Sequence, residues 1–384
     1  MHDLILRGGT LLDPGQGVNH RADVAFSAGR VSGMGEQVAG AEAAVEHHVD
    51  GSFVVPGLID LHTHVYWGGT ALGVDAGSVA RVSGTTTFVD AGSAGPGNYA
   101  GFLRHVIEPS RPRILAFLNI SFAGIFGFWR SVMVGECADL RLLDVGEALR
   151  VAGENLGTIV GIKVRVGRIA GGSSGMAPLE MAIEVAEELN LPVMAHIDLP
   201  PPNLRQIFER LRPGDILTHC FRPFPNAPLV GGRIREAAVL AREKGVIFDV
   251  GHGMGSLCFD TARGMMEQGF LPDVISSDVH ALCIDGPAYD LLVTLSKFLA
   301  LGMPVGDLVE RATLRPARAV RRPELGCLRT GGLGDATVLA IEEGAYTYLD
   351  CTGEKMTSNR RLVCKGCVVA GAFLPMEPRD IRDL

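Results

Sequence analysis

The sequence lacks a basic stripe or a Lys/Arg cluster of the kind that suggests nucleic-acid binding. Its 384 residues carry 35 Lys and Arg against 43 Asp and Glu, which gives a net charge of −8 with the histidines neutral. Proteins that bind nucleic acids present a basic patch or stripe. The nearest candidate, the arginine-rich stretch 311–322, is better interpreted as the solvated face of a helix. Nucleic acid is therefore excluded as the expected partner.

Long apolar runs and a leader are also missing. The longest uncharged stretch, 114–129, has 16 residues, whereas a membrane-spanning helix needs about 20. Residues 1–7 contain neither the positive segment nor the apolar core of a signal peptide. We therefore expect a cytoplasmic protein that does not enter a membrane.

The cysteine motifs are incomplete. Cys364 and Cys367 have the spacing of a zinc ribbon, but no second pair with this spacing exists to complete four ligands. We interpret these two residues as strand positions in a small sheet. The other cysteines are expected to be reduced core residues.

A repeated pattern of strand and helix is present. Short apolar runs alternate with amphipathic stretches such as 178–190 and 232–244. The runs predict eight strands, at 57–62, 84–90, 113–119, 158–164, 192–196, 215–219, 246–250 and 274–278. Eight such units in series predict an α/β fold, a (β/α)₈ TIM barrel over residues 57–322.

The two ends of the chain have a different pattern. Residues 1–56 and 323–384 consist of short apolar runs separated by Gly and Asp-Pro turns, a pattern typical of short strands. We expect the two segments to form one discontinuous domain, a small β-sandwich built from both termini.

Several barrel strands end in residues that can bind a metal. The six residues at such positions are His62, His64, Lys163, His196, His219 and Asp278. His62 and His64 are two apart in a strand, so both can face one metal ion. Alone, a histidine at a strand end is commonly structural, and an aspartate commonly caps the next helix. Together, at the end of the barrel where such enzymes carry their chemistry, the six residues predict a metal site.

This set of residues resembles the amidohydrolase superfamily, in its binuclear-metal form with a carboxylated lysine. Within that superfamily the chain is similar to the dihydroorotase-like amidohydrolase/deacetylase branch. The resemblance covers nearly the whole chain, and the further segments that carry it are 161–165, 249–253, 276–280, 297–304 and 331–336.

The resemblance implies two divalent metal ions, one on His62, His64 and Asp278 and the other on His196 and His219. Lys163 would bridge both ions as a carbamate derived from carbon dioxide. Two cations repel a protonated lysine, whereas a carbamate is an anion with two oxygens. Zinc suits the imidazole-rich ligand set best, with manganese, iron and cobalt as alternatives.

The implied activity is hydrolysis of an amide or ester by a hydroxide that bridges the two metals. Asp278 would take a proton from the attacking water and pass it to the leaving group. One metal would polarise the carbonyl that is cleaved.

Three further residues are predicted to bind substrate. Arg165 is on the same strand face as Lys163, and its guanidinium suits a carboxylate, unless it pairs with an acid from a loop. His252 is in a Gly-His-Gly turn that lets the backbone approach a ligand. His280 is expected to form a hydrogen bond with the substrate or to orient Asp278.

These features favour a deacylase or deacetylase that acts on a small carboxylate-bearing substrate. Hydrolysis of a cyclic amide or imide, as by dihydroorotase, fits less well, because residues 66–69 lack the expected Arg-Asn pair. D-aminoacylase or dipeptidase activity remains an alternative. A non-catalytic assembly protein of this fold would lack the metal ligands. The expected partners are a small-molecule substrate and further copies of the chain in a homo-oligomer.

Two loops are expected near the site. For the aromatic segment 121–129, an apolar wall of the pocket, core packing and a subunit contact are equally consistent with the sequence. The glycine-rich segment 171–175 is interpreted as a flexible lid.

Overall fold

The computed structural model describes residues 1–378. Its strands are β1 His2–Arg7, β2 Thr10–Asp13, β3 Val18–Arg21, β4 Val24–Ser27, β5 Arg30–Met34, β6 Ala43–His48, β7 Phe53–Pro56, β8 Leu58–Thr63, β9 Thr85–Ala91, β10 Arg113–Asn119, β11 Gly127–Phe128, β12 Met133–Val134, β13 Ile159–Val166, β14 Val193–Ile197, β15 Ile216–Leu217, β16 Leu229–Val230, β17 Arg233–Ile234, β18 Ile247–Phe248, β19 Ala336–Leu349, β20 Lys355–Val369 and β21 Ala372–Leu374.

Its α-helices are α1 Ala76–Ser83, α2 Tyr99–Phe102, α3 Val145–Glu154, α4 Ala177–Glu188, α5 Leu204–Arg210, α6 Glu236–Lys244, α7 Phe259–Glu267, α8 Leu291–Ala300, α9 Val305–Ala312 and α10 Leu314–Ala319. Short 3₁₀ turns occur at Gly35–Val38, Leu140–Leu142 and Pro323–Gly326, and a π-helical turn at Leu103–Ile107. Within the described residues, no helix combines the length and the apolar character needed to cross a membrane.

A parallel sheet of seven strands forms the barrel within the described residues, in the order β8-β9-β10-β13-β14-β15-β18. The ring closes through two isolated parallel bridges, Asp249 with Val274 and Thr63 with Val279. The predicted (β/α)₈ TIM barrel is therefore confirmed. The eighth predicted strand, 274–278, is wrong as a continuous strand, because Asp278 has a left-handed backbone conformation (φ 49°) that ends extended pairing.

Two other strands are shorter than predicted. β15 and β18 have two residues each, where the sequence predicts strands at 215–219 and 246–250. The backbone turns soon after each of these strands, because His219 (φ 65°) and Gly251 (φ 49°) also have left-handed conformations. The shortening brings His219 and the Gly251 turn to the barrel mouth.

Apolar side chains fill the inside of the barrel beneath the mouth. Ile59, Val89, Phe117 and Met194 belong to one buried cluster there. Gly161 lies against the Phe117 ring, and a Cβ at this position would be 2.2 Å from its Cε1 atom. The glycine therefore makes room for the ring two residues before Lys163.

Strands from both termini form two further sheets, in the orders β5-β4-β1-β6 and β21-β20-β19-β7-β2-β3. β7 from the N-terminal part pairs with β19 from the C-terminal part. Leu4, Phe26, Val54 and Val338 pack into one buried cluster between the sheets, which confirms the predicted β-sandwich. The boundaries at 56/57 and 322/323 stay predictions, and residues 379–384 of this domain lie outside the described residues. Cys364 and Cys367 are free thiols on β20.

The hairpin of β19 and β20 reaches the barrel. The carbonyl of Leu349 accepts a hydrogen bond from Lys297 Nζ at 2.7 Å. Asp350 Oδ2 accepts one from the Phe259 backbone N–H at 2.8 Å. The tip of the hairpin thereby supports the segment that follows β18 beside the barrel mouth.

Candidate active site

A cavity of about 170 Å³ lies at the carboxyl ends of the barrel strands. The predicted site residues that line it are His62, His64, Lys163, Arg165, His196, His219, Asp278 and His280. His252 does not line it. The fold thus brings together eight of the nine residues predicted from the sequence.

Asp278 lies between two histidines. Its Oδ1 atom is 3.3 Å from Nε2 of both His62 and His64. The three ligand atoms all lie within 4.8 Å of one another. Within the described residues, this buried Oδ1 has no hydrogen-bond partner. A buried carboxylate oxygen without a donor is unfavourable, so the group fits a bound cation.

A hydroxyl relay orients His62. The Thr218 hydroxyl donates to Asp249 Oδ2 at 2.7 Å and lies 2.8 Å from His62 Nδ1. Because the hydroxyl hydrogen is used by Asp249, the oxygen accepts from the Nδ1–H of His62. This tautomer leaves the Nε2 lone pair free for a metal.

Two of the other histidines are also held through Nδ1, and His196 is held by ring packing. His219 Nδ1 lies 2.7 Å from the carbonyl of Gly251, which can only accept, so Nε2 carries the free lone pair. His64 Nδ1 lies 2.8 Å from Ser93 Oγ. The His196 ring packs edge-on against that of His219, with centroids 4.4 Å apart.

Burial favours the uncharged form of the four histidines. It lowers the pKa of His62, His196 and His219 well below the usual value, and the pKa of His64 to about 4. The imidazoles are therefore neutral at pH 7, the form that binds metals.

Lys163, on β13, is buried at the centre of the cluster. Its Nζ lies 3.4 Å from His62 Nε2, and no carboxylate of the described residues forms an ion pair with it within 4 Å. Burial is the main cause that lowers the pKa of Lys163 to about 7. Gly92 packs against its stem, where a Cβ would be 2.6 Å from Cγ. A lysine without an acid partner, surrounded by neutral imidazoles, fits the predicted modification.

Two of the predicted ligands have unfavourable backbone conformations. Asp278 and His219 are non-glycine residues with φ of 49° and 65°. Such conformations cost about 1–3 kcal/mol each and occur preferentially at functional sites. His219 follows the short strand β15, and Asp278 follows the isolated bridge at Val274. Both residues line the cavity.

The histidine of the Gly-His-Gly turn lies away from the cavity, contrary to the prediction. His252 is buried, with Nδ1 2.9 Å from the Gly253 carbonyl and Nε2 2.7 Å from Lys297 Nζ. Both ring nitrogens are used, so the predicted substrate contact is not supported. The two glycines matter instead: a Cβ on Gly251 would be 2.4 Å from Thr218 Oγ1, and one on Gly253 would be 2.2 Å from Asp278 Oδ2.

Arg165 is already paired. Its Nε and Nη2 atoms each donate to one carboxylate oxygen of Glu136 at 2.6 Å. The ion pair with a loop acid, considered as the alternative from the sequence, is therefore present. Glu136 lies in the segment after β12, and no motif or spacing in the sequence points to it.

His280 faces the cavity as a neutral donor. Its Nδ1 accepts the backbone N–H of Leu282 at 3.1 Å, so Nε2 carries the proton. Burial lowers its pKa to about 4. Ile125 and Phe128, from the predicted aromatic wall, also line the cavity. The predicted lid 171–175 does not, although Ile169 just before it does.

Arg222 and Asp198 also line the cavity, and sequence reasoning missed both. Arg222 follows His219 by three residues. The signal that could have identified it is this position in a loop at the end of a barrel strand.

No family model matches the chain. It is 34% identical over 361 residues to a curated deacetylase of Agrobacterium fabrum, covering 92% of this chain and 88% of that protein. A solved dihydroorotase structure matches at 31% identity with a TM-score of 0.90, over 98% of this chain and 100% of that one. An adenine deaminase structure matches at 27% identity, also with a TM-score of 0.90 and the same coverage. These three similar proteins have three different activities, so the similarity alone does not identify the substrate of this chain.

Proposed function

As a member of the amidohydrolase superfamily, in its dihydroorotase-like branch, the chain is a metal-dependent hydrolase, and we propose that it removes an acyl group from a small carboxylate-bearing ester or amide. The observation that carries the proposal is the unpartnered Asp278 Oδ1 between the Nε2 atoms of His62 and His64. The similarity to a deacetylase over most of both chains supports acyl removal.

We propose that two metal ions, best fitted by zinc, bind in the predicted way, one to His62, His64 and Asp278 and the other to His196 and His219. Lys163 would hold both as its carbamate. When bound, such ions lower the pKa of a water molecule and polarise a carbonyl. The free Nε2 lone pairs and the buried, unpaired lysine support this assignment.

The protein's own groups then have distinct roles. Asp278 accepts the proton of the attacking water and returns it to the leaving group. The Nε2–H of His280 donates to an oxygen of the substrate. Phe128 and Ile125 contact the apolar part of the substrate and keep water away from it.

Metal analysis and a substrate screen test the proposal together. The purified protein should contain close to two divalent metals per chain and hydrolyse members of a library of N-acylamino acids, acylated hydroxy acids, dipeptides and cyclic imides. Lys163→Ala should reduce both metal content and turnover, and small carboxylic acids with bicarbonate should restore part of the turnover. Full activity of Lys163→Ala without an added acid would contradict the bridging role.

A second candidate is hydrolysis of a cyclic amide. The high similarity to a dihydroorotase structure favours it. The segment Tyr66–Gly69 after the first pair of histidines provides no arginine for the substrate, which favours the acyclic substrates. Exclusive turnover of cyclic imides in the same screen would select this second candidate.

A further inference from the structure

Arg222 lies at the mouth of the active site. Its backbone N–H donates to the carbonyl of His219 at 3.3 Å, which fixes the turn that follows this predicted ligand. Its side chain lines the same cavity as His196 and Asp198. The position is set by the strand end that also places His219.

The guanidinium of Arg222 has no hydrogen-bond or ion-pair partner among the described residues. Within residues 1–378 no carboxylate lies within ion-pair distance of it, and its buried Nη1 atom makes no hydrogen bond. Burial lowers the pKa of Arg222, and the charge of Asp198 opposes this effect. However, the Asp198 carboxylate already accepts the backbone N–H groups of Ile169 and Ala170 at 3.0 and 2.8 Å. A largely buried, unpaired guanidinium is unfavourable and suits a bound anion.

The other arginine of the cavity is not available in this way. Two nitrogens of Arg165 are held at 2.6 Å by Glu136, and this acid compensates its charge. A substrate carboxylate at Arg165 would face the Glu136 carboxylate as well. The charge distribution therefore favours Arg222 as the binding point for an anion.

We propose that Arg222, rather than Arg165, binds the carboxylate of the substrate and sets the preference for anionic over neutral substrates. The proposal rests on the function proposed above and names the residue that selects the substrate class. The apolar side chains Phe128 and Ile125 line the same cavity, so the substrate combines a carboxylate with an apolar group.

The test compares carboxylic acids with their methyl esters. Acylated amino acids and hydroxy acids, each paired with its ester, are measured as substrates and as ligands that raise the thermal midpoint of the metal-loaded protein. Arg222→Met should lower the preference for acid over ester by about ten- to a hundredfold. Arg222→Lys keeps the charge and should retain part of this preference.

The matched control is Arg168→Met. Arg168 is exposed and does not line the cavity, so its loss should leave the preference unchanged. The Arg222→Met substitution takes no bonding partner from another described residue. The thermal midpoint of this variant without ligand should therefore not fall. Arg222→Gln serves as the second neutral variant if the methionine variant does not fold.

The outcomes separate this proposal from the proposed function. Equal losses for acids and esters in Arg222→Met, or no preference for acids in the unmodified protein, would overturn the role of Arg222 while hydrolysis stands. The protein could hydrolyse none of the compounds while acids still raise its thermal midpoint, and lose this effect in Arg222→Met. That result would overturn the proposed reaction and support the anion site.

Discussion

Glu136 and Arg165 form a buried, bidentate ion pair in the wall of the cavity, with both N···O distances at 2.6 Å. The side chains are only 1% and 8% exposed. Removing one member of such a pair leaves an uncompensated charge in the interior. The pair therefore contributes to the structure of the site, and Arg165 is not free to exchange partners.

We expect Arg165→Met to destabilise the protein by about 3–5 kcal/mol, because Glu136 is left buried without its cation. The double variant Glu136→Met/Arg165→Met removes both charges and should recover much of this loss. Chemical denaturation of the three proteins measures the difference. An unchanged midpoint for Arg165→Met, accompanied by a selective loss of acid substrates, would instead make Arg165 the substrate anchor.

The Thr218 hydroxyl connects His62 to Asp249, and this leads to a second prediction. Thr218→Val has a similar shape but cannot accept the His62 Nδ1–H. Loss of such a supporting hydrogen bond commonly costs about 10- to 100-fold in metal affinity or activity. Metal titration of the apoprotein should show this loss for Thr218→Val, whereas Thr218→Ser should keep most of the affinity. Equal affinities in the two variants would show that the hydroxyl does not orient His62.

The sequence predicts much of the barrel and of its ligand set because both depend on local patterns. Apolar runs define the strands, and a polar residue at the end of each run reaches the mouth whatever the exact strand length. Asp278 illustrates this: its predicted strand is absent, yet the residue arrives beside His62 and His64. Pairing between distant loops is not local, so Glu136 could not be predicted as the partner of Arg165.

The turn around His252 shows the same limit. From the sequence, the histidine is the chemically interesting residue and the glycines only permit its approach. In the structure, Lys297 holds His252 away from the cavity, while Gly253 leaves room for the Asp278 carboxylate. Which member of such a turn matters depends on neighbours that the sequence does not reveal.

Gly253→Ala tests this interpretation. A Cβ there would lie 2.2 Å from Asp278 Oδ2, and the φ of 51° is unfavourable for alanine. We expect the carboxylate to move and metal affinity to fall by about 10- to 100-fold. Gly255→Ala is the matched control, since its Cβ meets no atom of the described residues within 4 Å. If calorimetric titration of metal gives the same affinity for both variants, the close packing at Gly253 does not position Asp278.

Asp278→Asn tests the proton transfer itself. Asparagine keeps the shape and one oxygen ligand, but its amide cannot accept and return a proton as a carboxylate does. With metal content restored by excess metal, kcat should fall by at least about a hundredfold, the lower end for general acid–base catalysis. KM should change little, because substrate binding uses other groups. Asp198→Asn alters another acid of the cavity wall, whose carboxylate accepts the backbone N–H groups of Ile169 and Ala170. This variant should lower kcat far less. An Asp278→Asn protein that keeps both its metals and its rate would show that a different group carries the proton.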